Sequence, residues 1–578
     1  MIKKLLSLLE KSEKQKIVLL LLMSTVGAVF EMLGVSLTVP LMTAILQPSI
    51  VSENARIAGV CASLGIGDHR GFVMLCIASM IALFIVKDLF LIFKSRFTAH
   101  FVIESRLRMQ KKMLRSFLRK PYEYYLRVSS GEIMRVIRTD VINAYAVLNT
   151  SLSLVSETIV SLAIVAVVVV IDSRMTLLIA AFVSLIMLAI IRIVKPILRE
   201  EGAQYRKSAS KAYSWILQSV HGIKEIKIGR RESFFEEHYG EAGQTQAEAE
   251  KRYSVLNSLP RTVIEMGCIC AALAAMLVMI ASGSDPSSLI PAFAAFAMAA
   301  VKLMPAFSRV VGYVNMISYH GPCIDRLIEN VDALDEAEQP SDSAMPISLR
   351  EKVELHDVTY RYDAASEPVL EHASMTVPAG HTVGISGISG AGKTTAVDVL
   401  LGLLKPEEGS VLCDGADVSA NYAGWLELVA YIPQRIFMLD GSIRENVVFG
   451  RESGDDAQLW RVLEEAKLAD FVRRQPMGLD TQIGERGIRL SGGQCQRIGI
   501  ARALYGDPEL LVFDEATSSL DSETEAAIME AIGTLHGEKT VIIIAHRPET
   551  IRYCDIVYRV EDKKLVLTQP NVPDHSEN

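Results

Sequence analysis

The stretch Gly384-Ile-Ser-Gly-Ile-Ser-Gly-Ala-Gly-Lys-Thr-Thr395 decides how the chain is read. From Gly387 it runs G-x-x-x-x-G-K-T, between an apolar strand pattern around Val383 and the helical run AVDVLLGLL that follows Thr395. Glycines at 387, 390 and 392 let the backbone turn tightly and aim its N–H groups at phosphate oxygens, with Ser389 among them. The next helix adds the positive end of its dipole. Lys393 is placed to reach the outer phosphates and Thr394 to offer a hydroxyl to Mg²⁺, and Thr395 beside it is expected among the nucleotide-binding residues.

Working outward, four further motifs follow in order. YIPQ ends at Gln434, LSGGQ covers residues 490–494, LLVFDEATSSLD covers 510–521, and IIIAHR carries His546. The run from Leu510 to Phe513 reads as a buried strand that delivers Asp514 to a metal, with Glu515 one step beyond to polarise an attacking water. His546, ending another apolar strand, can hold a γ-phosphate and orient that water. Upstream, VELHDVTYRY alternates as a strand, and Tyr362 ends it at a distance suited to stacking on an adenine ring.

The chain has 578 residues, too many for one core, and half of them are hydrophobic. Its mean hydropathy of +0.28 comes from segregation, since long apolar runs fill the first part and an α/β pattern the last. A net charge of −8, no basic tail and no aromatic RNA motif argue against nucleic acid as a partner. The 8 cysteines form no CxxC pair, so they supply no metal or disulfide framework; Cys268 and Cys270 read as small packing residues.

Six segments are long enough to span a bilayer, at 16–46, 72–98, 150–171, 175–196, 258–282 and 286–318. Residues 1–14 read as an interfacial helix, and the run after it is too long for a signal peptide. Twelve Lys and Arg fall between residues 94 and 140, whereas the loop at 47–71 holds only Arg56 and Arg70. Both termini are therefore expected in the cytoplasm, with the turns 121–133 and 222–235 reaching the soluble domain. Charges within the spans are Glu31, Lys87, Asp88, Glu157, Glu265, Lys302 and Arg309. They pair internally, or Lys302 and Arg309, seven apart on one helical face, join Lys87 in a cationic lining for an anionic head group.

These motifs, over essentially the whole chain, resemble an ATP-binding cassette exporter, a half-transporter with one membrane domain and one nucleotide-binding domain. The resemblance implies an all-α six-helix transmembrane domain followed by a cytoplasmic α/β P-loop domain. It implies ATP and Mg²⁺ as cofactors, with Thr394, Gln434 and Asp514 at the metal and Glu515 and His546 as catalytic groups. It implies that Ser491, Gly492, Gly493 and Gln494 contact ATP held by the opposite subunit, that Asp521 couples the two sites, and that a homodimer is the working form. Cys495, after LSGGQ, and Pro548, after Arg547, depart from the usual pattern without removing a reacting group. The expected boundaries are 1–14 (interfacial helix), 15–330 (membrane domain), 331–350 (acidic linker), 351–567 (nucleotide-binding domain) and 568–578 (disordered polar tail).

VFEMLGVSLTVPLM in the first span and VKLMP…SRV in the last resemble lipid-linked oligosaccharide flippases within this group. That implies ATP-driven flipping of a polyprenyl-diphosphate saccharide across the cytoplasmic membrane, with Lys87, Lys302 and Arg309 near the diphosphate. A lipid, multidrug or peptide exporter of the same fold is the alternative. An ATP-gated regulator without turnover is opposed by the intact Glu515, and a soluble cassette ATPase by the six spans.

Overall fold

The computed structural model describes residues 6–46, 69–171, 173–281, 304–336, 347–363, 366–451, 455–515, 530, 532–533, 536–545 and 551–568. The chain forms two compact units. One comprises Met1–Lys120 with Arg127–Ala337, and the other Pro121–Leu126 with Glu338–Asn578.

The first unit is helical. Its long helices are α1 (Lys11–Leu46), α2 (His69–Leu118), α3 (Val141–Ile171), α4 (Ser173–His221) and α5 (Glu232–Ala281), followed by α6 over residues 304–320 and α7 (Cys323–Glu336). The described part of every expected span lies on one of α1 to α6. Lys11–Gly34, Arg70–Leu118 and Ser130–Ala166 are, among the described residues, long and apolar enough to cross a membrane. Their large apolar side chains point outward at Leu22, Leu89, Ile92 and Phe93, as a lipid-facing surface requires. Residues 11–14 form the first turn of α1, and residues 331–336 the last turns of α7.

Between α2 and α3 the backbone widens into a π-helical segment, Arg135–Asp140. There the buried Arg135 guanidinium donates to Asp140 Oδ2 at 2.6 Å. Gly202 on α4 lets the backbone of Tyr319 come close, for a Cβ there would collide with the Tyr319 carbonyl.

The second unit is α/β. A six-stranded sheet runs in the order β10-β9-β3-β8-β7-β6, with β3 (Thr382–Ser386), β6 (Val429–Ile432), β7 (Leu510–Asp514), β8 (Thr540–Ile544) and β9 (Ile556–Glu561) parallel and β10 (Lys564–Thr568) antiparallel at the edge. A four-stranded antiparallel sheet runs β2-β1-β4-β5, from β1 (Lys352–Tyr360), β2 (Leu370–Pro378), β4 (Glu408–Cys413) and β5 (Ala416–Asp417). One core packs the two sheets around α8 (Lys393–Leu400) and Trp425. The other lies against α9 (Gly492–Tyr505). Every residue of β7 and β8 is buried, which explains why their sequences are unbroken apolar runs rather than alternating ones. The carboxyl ends of β3, β6 and β7 share one edge of the sheet, where ligands of parallel α/β sheets bind.

Candidate nucleotide site and membrane charges

The loop after β3 is built for phosphate. Gly387, Gly390 and Gly392 have φ of 146°, 81° and 103°, values that a side chain rarely tolerates. A Cβ on Gly392 would meet Val369 Cγ1 at 2.9 Å, and one on Gly387 would meet the Val560 carbonyl at 3.0 Å. Lys393 Nζ curls over the loop and donates to the carbonyls of Gly387 (3.1 Å) and Ile388 (3.0 Å). Burial pulls its pKa below the ordinary lysine value, while the negative charges of Glu515 and Asp514 oppose that shift. Loop, ammonium and helix start fit a nucleotide's phosphates.

Opposite, β7 ends at Asp514, buried, whose Oδ2 accepts from the Tyr431 hydroxyl at 2.9 Å. Glu515 follows in the left-handed region, φ 49°, and its backbone N–H donates to the Ile544 carbonyl. Its Oε2 accepts from Gln434 Nε2 at 2.8 Å. That bond spends the amide nitrogen, so the carbonyl oxygen of Gln434 is the atom able to ligate a cation. The Asp514 carboxylate and the exposed Thr394 hydroxyl are likewise oxygen donors, so the residue types fit Mg²⁺.

Tyr362 is 40% exposed, lies edge-on to Tyr360, and shares a 2.9 Å hydrogen bond between its hydroxyl and Thr395 Oγ1. The sequence suggests an adenine-stacking place for Tyr362; its tie to Thr395 is not legible there. Asp398, on α8, also escaped the sequence reading: burial and then the charge of Asp514 push its carboxyl up to about 6. The segment Pro121–Leu126, within the expected turn 121–133, clusters with this unit, where Glu123 Oε1 accepts from the Lys405 N–H at 3.0 Å.

The LSGGQ residues open α9. Ser491 Oγ accepts from the Gln494 N–H at 3.3 Å and Gln494 Oε1 accepts from the Ser491 N–H at 2.8 Å, a reciprocal cap. Gly492 then exposes backbone at the helix start, with no heavy atom near its missing Cβ. Cys495 packs behind Gly487, and burial raises its thiol pKa. Further along α9, Arg502 donates to the carbonyls of Asn446 and Phe437, both at 2.8 Å, and lies over the Phe449 ring. His546 and Asp521 lie outside the described residues.

In the membrane unit, Lys87 Nζ pairs with Glu31 Oε2 at 3.0 Å and sits 3.8 Å from Asp88. Arg309 donates to Glu157 Oε1 at 2.7 Å. Both cations thus face carboxylates, the pairing a low-dielectric setting demands. Glu265 is exposed, and Lys302 lies outside the described residues.

Two family models match the chain: "ABC transporter transmembrane region" over residues 17–301 and "ABC transporter" over residues 370–518. An ATP-dependent lipid A-core flippase of Burkholderia orbicola (strain AU 1054) is 27% identical over 80% of this chain and 77% of its own length. The beta-(1-->2)glucan export ATP-binding/permease protein NdvA of Rhodopseudomonas palustris (strain BisB5) is 36% identical over 47% of this chain and 45% of its own length. The solved structure of a bacterial Atm1-family ABC exporter with ATP bound superposes with a TM-score of 0.78 at 22% identity, covering 96% of this chain and 94% of that one. The fold is that of an ABC exporter, and the chain belongs to the ABC transporter family as a half-transporter, one transmembrane region joined to one ATP-binding cassette.

Proposed function

We propose that two copies of this chain form an ATP-hydrolysing exporter that flips a polyprenyl-diphosphate oligosaccharide across the cytoplasmic membrane, with both termini in the cytoplasm. The observation that carries the ATPase reading is the convergence of Lys393, Asp514, Glu515 and Gln434 at the carboxyl edge of one sheet. Mg²⁺, when bound, neutralises charge on the phosphate oxygens; Thr394, Gln434 and Asp514 would hold it. Lys393 orients the outer phosphates. Glu515 accepts a proton from the attacking water, and its bond to Gln434 fixes the direction of its carboxylate. His546 completes the water's orientation. Tyr362 supports the adenine.

Ser491 to Gln494 present a capped helix start to the nucleotide of the second chain, so a site is complete only in the dimer, and Asp521 links the paired sites. Closure of the cassettes then switches the cavity from inward- to outward-facing. Relatives named for lipid A-core flipping support a lipid substrate, and the relative named for glucan export supports a saccharide on it. A lipid, drug or peptide without a diphosphate is the second reading. The test is ATP hydrolysis by the protein in liposomes across a panel of lipid-linked saccharides, phospholipids and drugs. Stimulation confined to uncharged drugs overturns the substrate reading, and wild-type turnover by Glu515→Gln overturns the catalytic one.

A further inference from the structure

Lys94 lies near the end of the 72–98 span, where sequence alone makes it the first charge of a basic loop. In the fold it faces inward. It lines a cavity of about 160 Å³ with Thr98 on α2, Ser153, Ser156 and Glu157 on α3, and Tyr313 on α6. We propose that this cavity is a subsite for a phosphate ester, with Lys94 as its cationic contact. The inference rests on the reading of the substrate as a lipid with an anionic head group.

Three observations carry it. Lys94 Nζ donates to Ser156 Oγ at 2.9 Å, a neutral partner. Glu157, the carboxylate of the same wall, is engaged by Arg309 at 2.7 Å. The cavity wall itself holds one cation, Lys94, and one carboxylate, Glu157, and that carboxylate is hydrogen-bonded to Arg309 rather than to Lys94. Ser153, Ser156 and Glu157 follow at helical spacing on α3, so hydroxyls and charge line one face. The Lys94 ammonium, with the Ser156 hydroxyl as its neutral partner, can give a phosphate a charge-assisted hydrogen bond.

The size selects the ligand further. About 160 Å³ is smaller than the roughly 300–1,000 Å³ of sites that enclose drug-sized molecules. It admits a compact head group and leaves an acyl or prenyl tail outside. Under the proposed orientation, the subsite lies toward the cytoplasmic leaflet, where a head group would enter.

The test measures the ratio of stimulated to basal ATP hydrolysis in liposomes for wild type, Lys94→Gln and Lys94→Arg. The ratio is insensitive to the amount of folded protein, and the arginine variant keeps the charge. The probes are a short polyprenyl diphosphate, the matching polyprenol and inorganic pyrophosphate. We expect the half-maximal polyprenyl diphosphate concentration to rise about ten-fold or more in Lys94→Gln, as loss of a charge-assisted contact implies, and to be largely restored in Lys94→Arg. Polyprenol should not stimulate. A response to pyrophosphate equal to that of the lipid would keep the phosphate site and assign it to the free anion. If wild type responds to polyprenyl diphosphate and Lys94→Gln responds identically, the subsite falls while the transport reading stands. If wild type responds to neither phosphate compound, both fall.

Discussion

Gln434 and Glu515, 81 residues apart in the chain, are joined side chain to side chain, the amide nitrogen donating to Oε2 across 2.8 Å. Glu515 is also held at φ 49°, a conformation that costs a residue with a Cβ about 1–3 kcal/mol. The strain and the bond together aim one carboxylate. Glu515→Gln should therefore bind ATP about as wild type does and lower its hydrolysis by roughly 10²–10⁴. Single-turnover hydrolysis beside equilibrium nucleotide binding reads both, and near-wild-type turnover would remove Glu515 from the role of base.

Tyr431 holds Asp514 from behind through its hydroxyl. Tyr431→Phe keeps the ring and removes only that donor. The Mg²⁺ concentration for half-maximal hydrolysis should rise about ten-fold, with Mg²⁺-free ATP binding unchanged. An unaltered Mg²⁺ titration would show that Asp514 needs no such support.

Ser491 and Gln494 cap their own helix rather than the loop of their own chain at Gly387–Lys393. Mixed dimers with Lys393→Ala in one chain and Ser491→Arg in the other should keep one intact composite site, and so up to about half of wild-type hydrolysis if the sites act independently. Placing both changes in the same chain damages both sites. Equal rates from the two arrangements would refute a site shared between chains.

Asp398 titrates upward, to about 6 from an ordinary 3.8. The folded state thus holds this proton more tightly than the unfolded chain. Stability from this group is full below about 4 and is lost as pH rises through about 6. Asp398→Asn is neutral throughout. With Mg²⁺ chelated, its melting temperature should exceed wild type at pH 7.5, and the gap should shrink toward pH 5. A gap that is constant with pH would mean that packing, not charge, sets the difference.

The nucleotide site was legible where a single short segment supplies both backbone shape and reacting group. Gly387 to Thr395 and Leu510 to Glu515 are such segments, because strand burial and glycine conformation leave their mark residue by residue. What escaped was pairing at a distance. Nothing in YIPQ marks the Tyr431 hydroxyl as a partner of Asp514, and nothing near LSGGQ announces that Arg502 closes on Asn446. The membrane charges show the same limit: hydropathy finds Lys87 and Arg309 but cannot tell that Glu31 and Glu157 meet them. Lys94 was read as the edge of a loop because its helix continues past the bilayer, to Leu118.

The length of α5 has a mechanical consequence. Its 50 residues, at about 1.5 Å each, extend to about 75 Å. Some 45 Å of that exceeds the roughly 30 Å hydrocarbon layer. A rod of that overhang multiplies angle into distance: a tilt of about 5° at its membrane end sweeps the far end through about 4 Å, the scale of one helical turn. Pro260 removes one bond of the helical ladder near the membrane end of that overhang, so the tilt has a hinge there and the residues before it form the arm.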